Sequence, residues 1–237
     1  MFKKALFLQQ MELISLLEKY FGYKNFLIGQ EEVIKSILNK QNTLVVMPTG
    51  AGKSLCYQLP ALLMDGVAIV ISPLISLMKD QCDALLKINY PATFINSSLN
   101  MEEYSERIIA AKNDQYKLIY IAPERLNSEH FLKLLKELNV SFIAIDEAHC
   151  ISEWGYDFRP SYLNIAKALT HINITHIVAL TATATPDVQS DIIMALDMTE
   201  PNLLVKGFDR PNLSYHTEYA SNRKEKVLEI IKKLNEK

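Results

Sequence analysis

Thr43-Leu44-Val45-Val46 runs straight into Met47-Pro48-Thr49-Gly50-Ala51-Gly52-Lys53-Ser54, and Leu55-Cys56-Tyr57-Gln58 follows. A short β-branched strand, a glycine-containing loop and a Lys-Ser pair opening a helix form the layout a phosphate-binding loop requires. Glycines let the backbone curl until several N–H groups point at one anion, and the helix behind offers its positive N-terminal end. Thr49, Gly50, Ala51 and Gly52 would line that cradle. Lys53 would bring a full charge to the outer phosphates, and the Ser54 hydroxyl could hold Mg²⁺. The strict pattern has Gly where Met47 stands, so the surroundings must decide.

Those surroundings alternate. Short apolar runs at 43–46, 67–72, 92–95, 118–122, 140–145 and 176–180 are separated by amphipathic stretches at 74–86, 101–112, 128–138, 162–169 and 186–196. Three of the helix starts carry their own punctuation: Asn100 with Glu103 as a capping box, Ser128 as an N-cap, and Thr185 ahead of Pro186. Strands apolar on both faces and separated by helices predict an α/β fold, a mostly parallel central sheet with helices on both faces. Ligands of such sheets lie beyond the carboxyl ends of the strands, where every motif named below falls. Ahead of the first strand, Leu13, Leu16, Leu17 and Tyr20 share a helical face that Phe21-Gly22-Tyr23 ends, and a second helix starts near Gln30. The expected organisation is an N-terminal helical segment over 1–40, one α/β lobe over 41–207, and a tail over 208–237. In that tail 213–217 reads as a strand and Val227, Ile230, Ile231 and Leu234 as a helix face, too little for a domain, so it is expected to open a second lobe.

Composition narrows the partners. The net charge of −2 supplies no global basic field, so a polyanion would need a local patch. Cys56, Cys82 and Cys150 form no C-x-x-C pair, which argues for reduced thiols against a disulfide or zinc framework. The apolar start at Met1 is cut short by Gln9, Gln10 and Glu12, and no run approaches the ~18 apolar residues of a membrane span. A cytoplasmic protein without a membrane partner is expected.

Asp146-Glu147-Ala148-His149 follows the strand at 140–145. An acid placed directly after a buried strand is costly unless a cation meets it. Asp146 with Ser54 could complete a Mg²⁺ site shared with phosphate oxygens, leaving Glu147 to orient or deprotonate an attacking water. Taken alone the pair also fits a helix cap with a solvated glutamate; the phosphate loop upstream favours the metal. Cys150-Ile151-Ser152-Glu153-Trp154-Gly155-Tyr156-Asp157-Phe158-Arg159-Pro160 has no helix or strand period, yet it gathers the sole Trp, two further aromatics and an Arg. Trp154, Tyr156 and Arg159 suit base stacking and phosphate pairing, and stacking contributes about 1–3 kcal/mol per base. Phe158 fits that role and a core role equally. Ser72-Pro73 and the run at 122–126 sit where N–H groups could hold phosphates, and they fit ordinary strand-to-helix turns as well.

The phosphate loop with its Leu55-Cys56-Tyr57-Gln58 continuation, the run Ile71-Ser72-Pro73-Leu74-Ile75-Ser76-Leu77-Met78-Lys79-Asp80-Gln81, and Asp146-Glu147-Ala148-His149-Cys150-Ile151-Ser152 together resemble the RecQ family of ATP-dependent DNA helicases. The likeness runs from about Phe21 to Tyr215. It implies a RecA-like P-loop lobe that couples ATP hydrolysis, with Mg²⁺, to 3′ to 5′ movement on single-stranded DNA. It also implies DNA junctions or duplex ends as substrates and a second RecA-like lobe as partner. Lys53, Asp146, Glu147 and His149 would be the catalytic set. Tyr23 would stack on adenine and Gln30 would bond its edge, although Leu27-Ile28 stands where the family usually has Arg-Pro. Thr181 and Thr183 resemble the motif linking hydrolysis to DNA, with His149 as neighbour; Thr185 can cap the next helix at the same time. The Trp154 loop resembles the family's DNA-sensing loop, with Glu153 and Tyr156 replacing the usual Gln and His. Two other readings remain: a nucleotide-binding lobe inactive without its second lobe, and an RNA motor of the DEAD type, against which His149 and Trp154 argue.

Overall fold

The central strands are buried on both faces, so strand and helix must alternate to keep them dry. The computed structural model describes residues 13–155, 157–172, 174–206, 217 and 219–235. Its strands are β1 (Thr43–Val46), β2 (Val67–Ile71), β3 (Ala92–Ile95), β4 (Leu118–Ile121), β5 (Val140–Ile145), β6 (Ile177–Thr181) and β7 (Asn202–Val205). They form one sheet in the order β3-β4-β2-β5-β6-β1-β7, and every pairing is parallel. The helices are α1 (Gln30–Leu38), α2 (Lys53–Leu63), α3 (Ile75–Lys87), α4 (Met101–Lys112), α5 (Glu129–Glu137), α6 (Ile165–Ile172), α7 (Pro186–Ala195) and α8 (Arg223–Asn235).

The two-residue period of a strand sends alternate side chains to opposite layers. Leu44, Val46, Ile69, Ile71, Ile143 and Ile145 pack with Phe131 and Leu135 of α5, Leu169 of α6 and Ile192 of α7. Their neighbours Val45, Ala68, Val70, Phe142 and Ala144 pack with Val33 of α1, Tyr57 of α2 and Met78 of α3. A smaller cluster of Leu13, Leu17, Ile34, Leu55 and Leu59 clamps the N-terminal segment onto α1 and α2. That segment ends in a π-helical turn over Leu17–Phe21, stopped by Gly22 at φ 73°. The caps read from sequence form as expected: Asn100 and Glu103 bond reciprocally, Ser128 accepts from Phe131 N–H, and Thr185 accepts from Val188 N–H.

Because every strand runs the same way, the loops after β1, β2, β4, β5 and β6 all emerge on one edge. Two features differ from the sequence expectation. The stretch read as a helix from 162 opens as a 3₁₀ turn over Pro160–Asn164 before α6 begins. β7 was not expected at all: it is an edge strand that buries Leu204 and leaves Leu203 and Val205 exposed, so it lacks the two-sided apolar signature. The strand expected at 213–217 falls almost wholly outside the described residues. Among the described residues no helix is long and apolar enough to cross a membrane. The β7 register has a direct check by urea unfolding. Leu204→Ala should cost about 2–4 kcal/mol, as a buried truncation does, while Leu203→Ala should stay within about 0.5 kcal/mol.

Candidate active site

The loop between β1 and α2 curls through Gly50 at φ 86° and Gly52 at φ 71°, a conformation that favours glycine. A Cβ on Gly52 would also overlap the side-chain amide of Gln30. Gln30 is buried at the start of α1, and its Nε2 donates to Ala51 O and Gly52 O, both at 3.1 Å. Its Oε1 accepts from Leu27 N–H at 2.8 Å. Gln30 therefore braces the loop from behind, with both amide protons engaged. Lys53 Nζ folds onto Met47 O at 3.1 Å, inside the curl. Beside the loop is a cavity of about 340 Å³ lined by Phe21, Tyr23, Leu27, Gln30, Gly52 and Gln58. Tyr23 is 60% exposed at its wall, free to lie against a planar group.

Asp146 leaves the end of β5, its N–H donating to Ile71 O at 2.9 Å. The carboxylate is buried, and among the described residues no salt bridge reaches it. Burial pushes its pKa up from 3.8 to about 6; the adjacent Glu147 adds to the rise, and Glu147 N–H and the Lys53 charge oppose it. That opposition places Lys53 and Asp146 in one electrostatic neighbourhood. Ser54, which opens α2, and the Asp146 charge both act on the buried phenol of Tyr57, Ser54 lowering its raised pKa and Asp146 adding to the rise. A desolvated carboxylate lacking a counter-ion, a lysine and a helix-starting serine hydroxyl suit a divalent cation shared with phosphate oxygens. No group of three or more His, Cys, Asp or Glu that could hold a metal by itself occurs among the described residues.

Glu147 adopts φ 50°, ψ 45°, a left-handed conformation costly for a side-chain-bearing residue. Its Oε2 lies 3.3 Å from His149 Nδ1, which in turn sits 2.9 Å from Thr181 Oγ1. Thr181 Oγ1 donates to Thr183 O and accepts from Thr183 N–H, both at 3.2 Å. Its one proton is thereby used, so His149 Nδ1 must be the protonated nitrogen, donating towards Thr181 and Glu147. Burial lowers the His149 pKa, against the opposing charges of Glu147 and Asp157. The end of β5 and the end of β6 are thus joined by one short polar chain.

The aromatic loop closes on this chain. Arg159 N–H donates to Cys150 O at 2.9 Å, and Ser152 Oγ donates to Asp191 of α7. A Cβ on Gly155 would overlap His149 O, so the loop packs directly on the backbone of the acidic motif. Trp154 projects from it, 83% exposed. Phe158 is half-buried, between the two roles left open for it. Arg159 is a strut here, bonding Pro73 O at 2.9 Å and Asp157 at 2.8 Å. Tyr156 lies outside the described residues. Ser72, considered for phosphate contact, is 1% exposed and its N–H donates to Ile121 O, which leaves its buried, unpartnered hydroxyl as the group it could offer; the next residue, Pro73, has no N–H. Sequence reasoning also missed Tyr162, whose phenol donates to Asp146 O at 3.0 Å; its apolar helix spacing disguised it as core.

Fold and loop together define the class, a RecA-like P-loop lobe. The family model of the DEAD/DEAH box helicases matches residues 28–192, and the chain belongs to that family. It is 48% identical over 219 residues to the ATP-dependent DNA helicase RecQ of Bacillus subtilis, covering 92% of this chain and 37% of that protein. Identity to the protein of the same name in Haemophilus influenzae is 45% over 218 residues, covering 92% and 35%. The chain thus spans about a third of the length of these relatives. A structure of Mycobacterium smegmatis helicase Lhr bound to ssDNA and AMP-PNP shares the fold, with a TM-score of 0.65 at 18% identity over 81% of this chain and 27% of that one.

The isolated Asp146 charge makes a stability prediction. Its folded pKa of about 6 exceeds the ordinary 3.8, so the penalty is absent below the lower value, grows as pH rises between them, and is complete above about 6. Asp146→Asn should raise the melting temperature of the ligand-free chain by about 2–6 °C near pH 8, with the gain shrinking towards pH 4. Thermal unfolding at both pH values measures it.

Proposed function

We propose that this chain is the ATP-binding motor lobe of a RecQ-like DNA helicase, coupling ATP hydrolysis to movement along single-stranded DNA. The carrying observation is that the phosphate loop after β1, with Lys53 folded into it, and Asp146 at the end of β5 emerge on the same edge of the parallel sheet, while the loop bearing exposed Trp154 is built onto the same acidic motif. RecQ relatives at 45–48% identity support DNA over RNA as the track.

In this reading adenine enters the cavity beside Tyr23 and Gln30, and the phosphates replace Met47 O as the partner of Lys53. Ser54 and Asp146 would hold Mg²⁺, which when bound neutralises charge developing on the transferring phosphoryl group. Glu147 takes the proton of the attacking water and is steered by His149. Thr181 and Thr183 then report the state of the pocket to the end of β6. The 340 Å³ cavity has an apolar wall at Leu27, so the base is held there mainly by stacking and shape. Residues 208–237 lead into a second RecA-like lobe. An arginine supplied by such a lobe is typically worth about 10³–10⁵ in rate, so residues 1–237 alone should bind ATP and turn it over only slowly.

Glu147→Gln should keep ATP affinity within about twofold and lower turnover about 10²–10⁴-fold, because an amide cannot accept the proton. Equilibrium binding and single-turnover hydrolysis, done in the full-length protein, separate the two effects. Trp154→Ala should leave basal hydrolysis intact and abolish its stimulation by single-stranded DNA; unchanged stimulation would return Trp154 to a packing role. Competition between single-stranded DNA and RNA at fixed salt tests the track itself, and a clear preference for RNA would overturn the DNA assignment.

A further inference from the structure

Tyr162 is 1% exposed, in a site where a phenylalanine would fill the same volume. A buried phenol is retained only at a cost unless its hydroxyl is bonded, and here it donates to Asp146 O at 3.0 Å. That oxygen belongs to the peptide group joining Asp146 to Glu147. The N–H of the same peptide group donates to Asp146 Oδ1 at 3.1 Å. One peptide plane, held on one side by Tyr162 and on the other by the Asp146 carboxylate, therefore sets the orientation of both acids. Glu147 at φ 50° shows that the plane is not in a relaxed extended setting.

The other end of the connection is the aromatic loop. Tyr162 N–H donates to Arg159 O, and Arg159 N–H donates to Cys150 O, both at 2.9 Å. The Arg159 guanidinium reaches Pro73 O at the end of β2. Between Arg159 and Tyr162 lies the start of the 3₁₀ turn Pro160–Asn164, stiffened by Pro160. One hydrogen-bonded route from the loop therefore runs from Arg159 through this short turn to the Tyr162 phenol and Asp146 O, beside the direct packing of Gly155 on His149 O. The link uses other residues than the His149–Thr181 chain, which joins the acidic motif to the end of β6.

We propose that Tyr162 is a positioning residue that ties the aromatic loop to the Asp146–Glu147 peptide, so that a strand docking on Trp154 resets the metal-holding carboxylate. This rests on the ATP-binding reading above. Tyr162→Phe removes only the hydroxyl. ATP binding to residues 1–237 is measured by titration in EDTA, in Mg²⁺, and in Mg²⁺ with oligo(dT). Affinity in EDTA should match the parent, the gain on adding Mg²⁺ should shrink about 2- to 10-fold, the size of one neutral hydrogen bond, and the response of that gain to oligo(dT) should vanish. Pro160→Gly, which loosens the turn and leaves the hydroxyl in place, should keep the Mg²⁺ gain and lose the oligo(dT) response.

A Tyr162→Phe chain with the parent's Mg²⁺ gain and the parent's oligo(dT) response would overturn the inference and leave the function standing. Equal weakening in EDTA and Mg²⁺ would likewise overturn it, since that is the mark of a packing defect. A parent chain whose Mg²⁺ gain ignores oligo(dT) overturns the coupling. A parent chain that fails to bind ATP at all overturns the functional reading itself.

Discussion

The carboxylate of Asp146 governs the rest of this molecule. It stands at the end of a strand that is dry on both faces, where an unpaired charge is unfavourable, and the protein answers it only partly. Lys53 is near enough to act on it but spends its hydrogen bonds on loop carbonyls. The ligand-free lobe is thus assembled around an unmet charge, and a cation with phosphate oxygens is the chemistry that meets it.

The parallel sheet makes that arrangement possible. Residues far apart in sequence, Lys53, Asp146 and Thr181, fall on one edge because each lies at or beyond the carboxyl end of a strand and all the strands point one way. The polar chain from Glu147 through His149 to Thr181 joins neighbouring strand ends, and the aromatic loop packs onto the back of the same motif. The phosphate loop, the acidic motif and an exposed indole thus share a few residues of backbone. If a nucleotide and a single strand bind there as proposed, that sharing would let them influence one another without a long relay.

Much of this was legible in the chain. The six central strands follow from runs too apolar for one face of water, and Asn100, Ser128 and Thr185 mark helix starts because their side chains can take up free N–H groups. Lys53, Ser54 and Asp146 could be grouped because strand-end motifs of a parallel sheet must converge. What stayed hidden lacked a periodic signal. β7 buries one residue in four, so its pattern resembles a loop. Gln30 was expected to face a base, but in the folded chain its amide braces the phosphate loop, a contact set by how α1 packs on α2. The Ser72 N–H is taken up by the sheet ladder, which extends one residue past β2 and leaves only its hydroxyl without a partner. Tyr162 carried the spacing of a core residue, and only three-dimensional packing shows its hydroxyl on the acidic motif.

The most direct measurement of the central claim is the change in ATP affinity on adding Mg²⁺, compared between the parent chain and Asp146→Asn. If the buried carboxylate is held open for a shared metal, the parent should bind ATP markedly more tightly with Mg²⁺ than in EDTA, and Asp146→Asn should lose most of that difference. An Asp146→Asn chain that responds to Mg²⁺ as strongly as the parent would contradict the account.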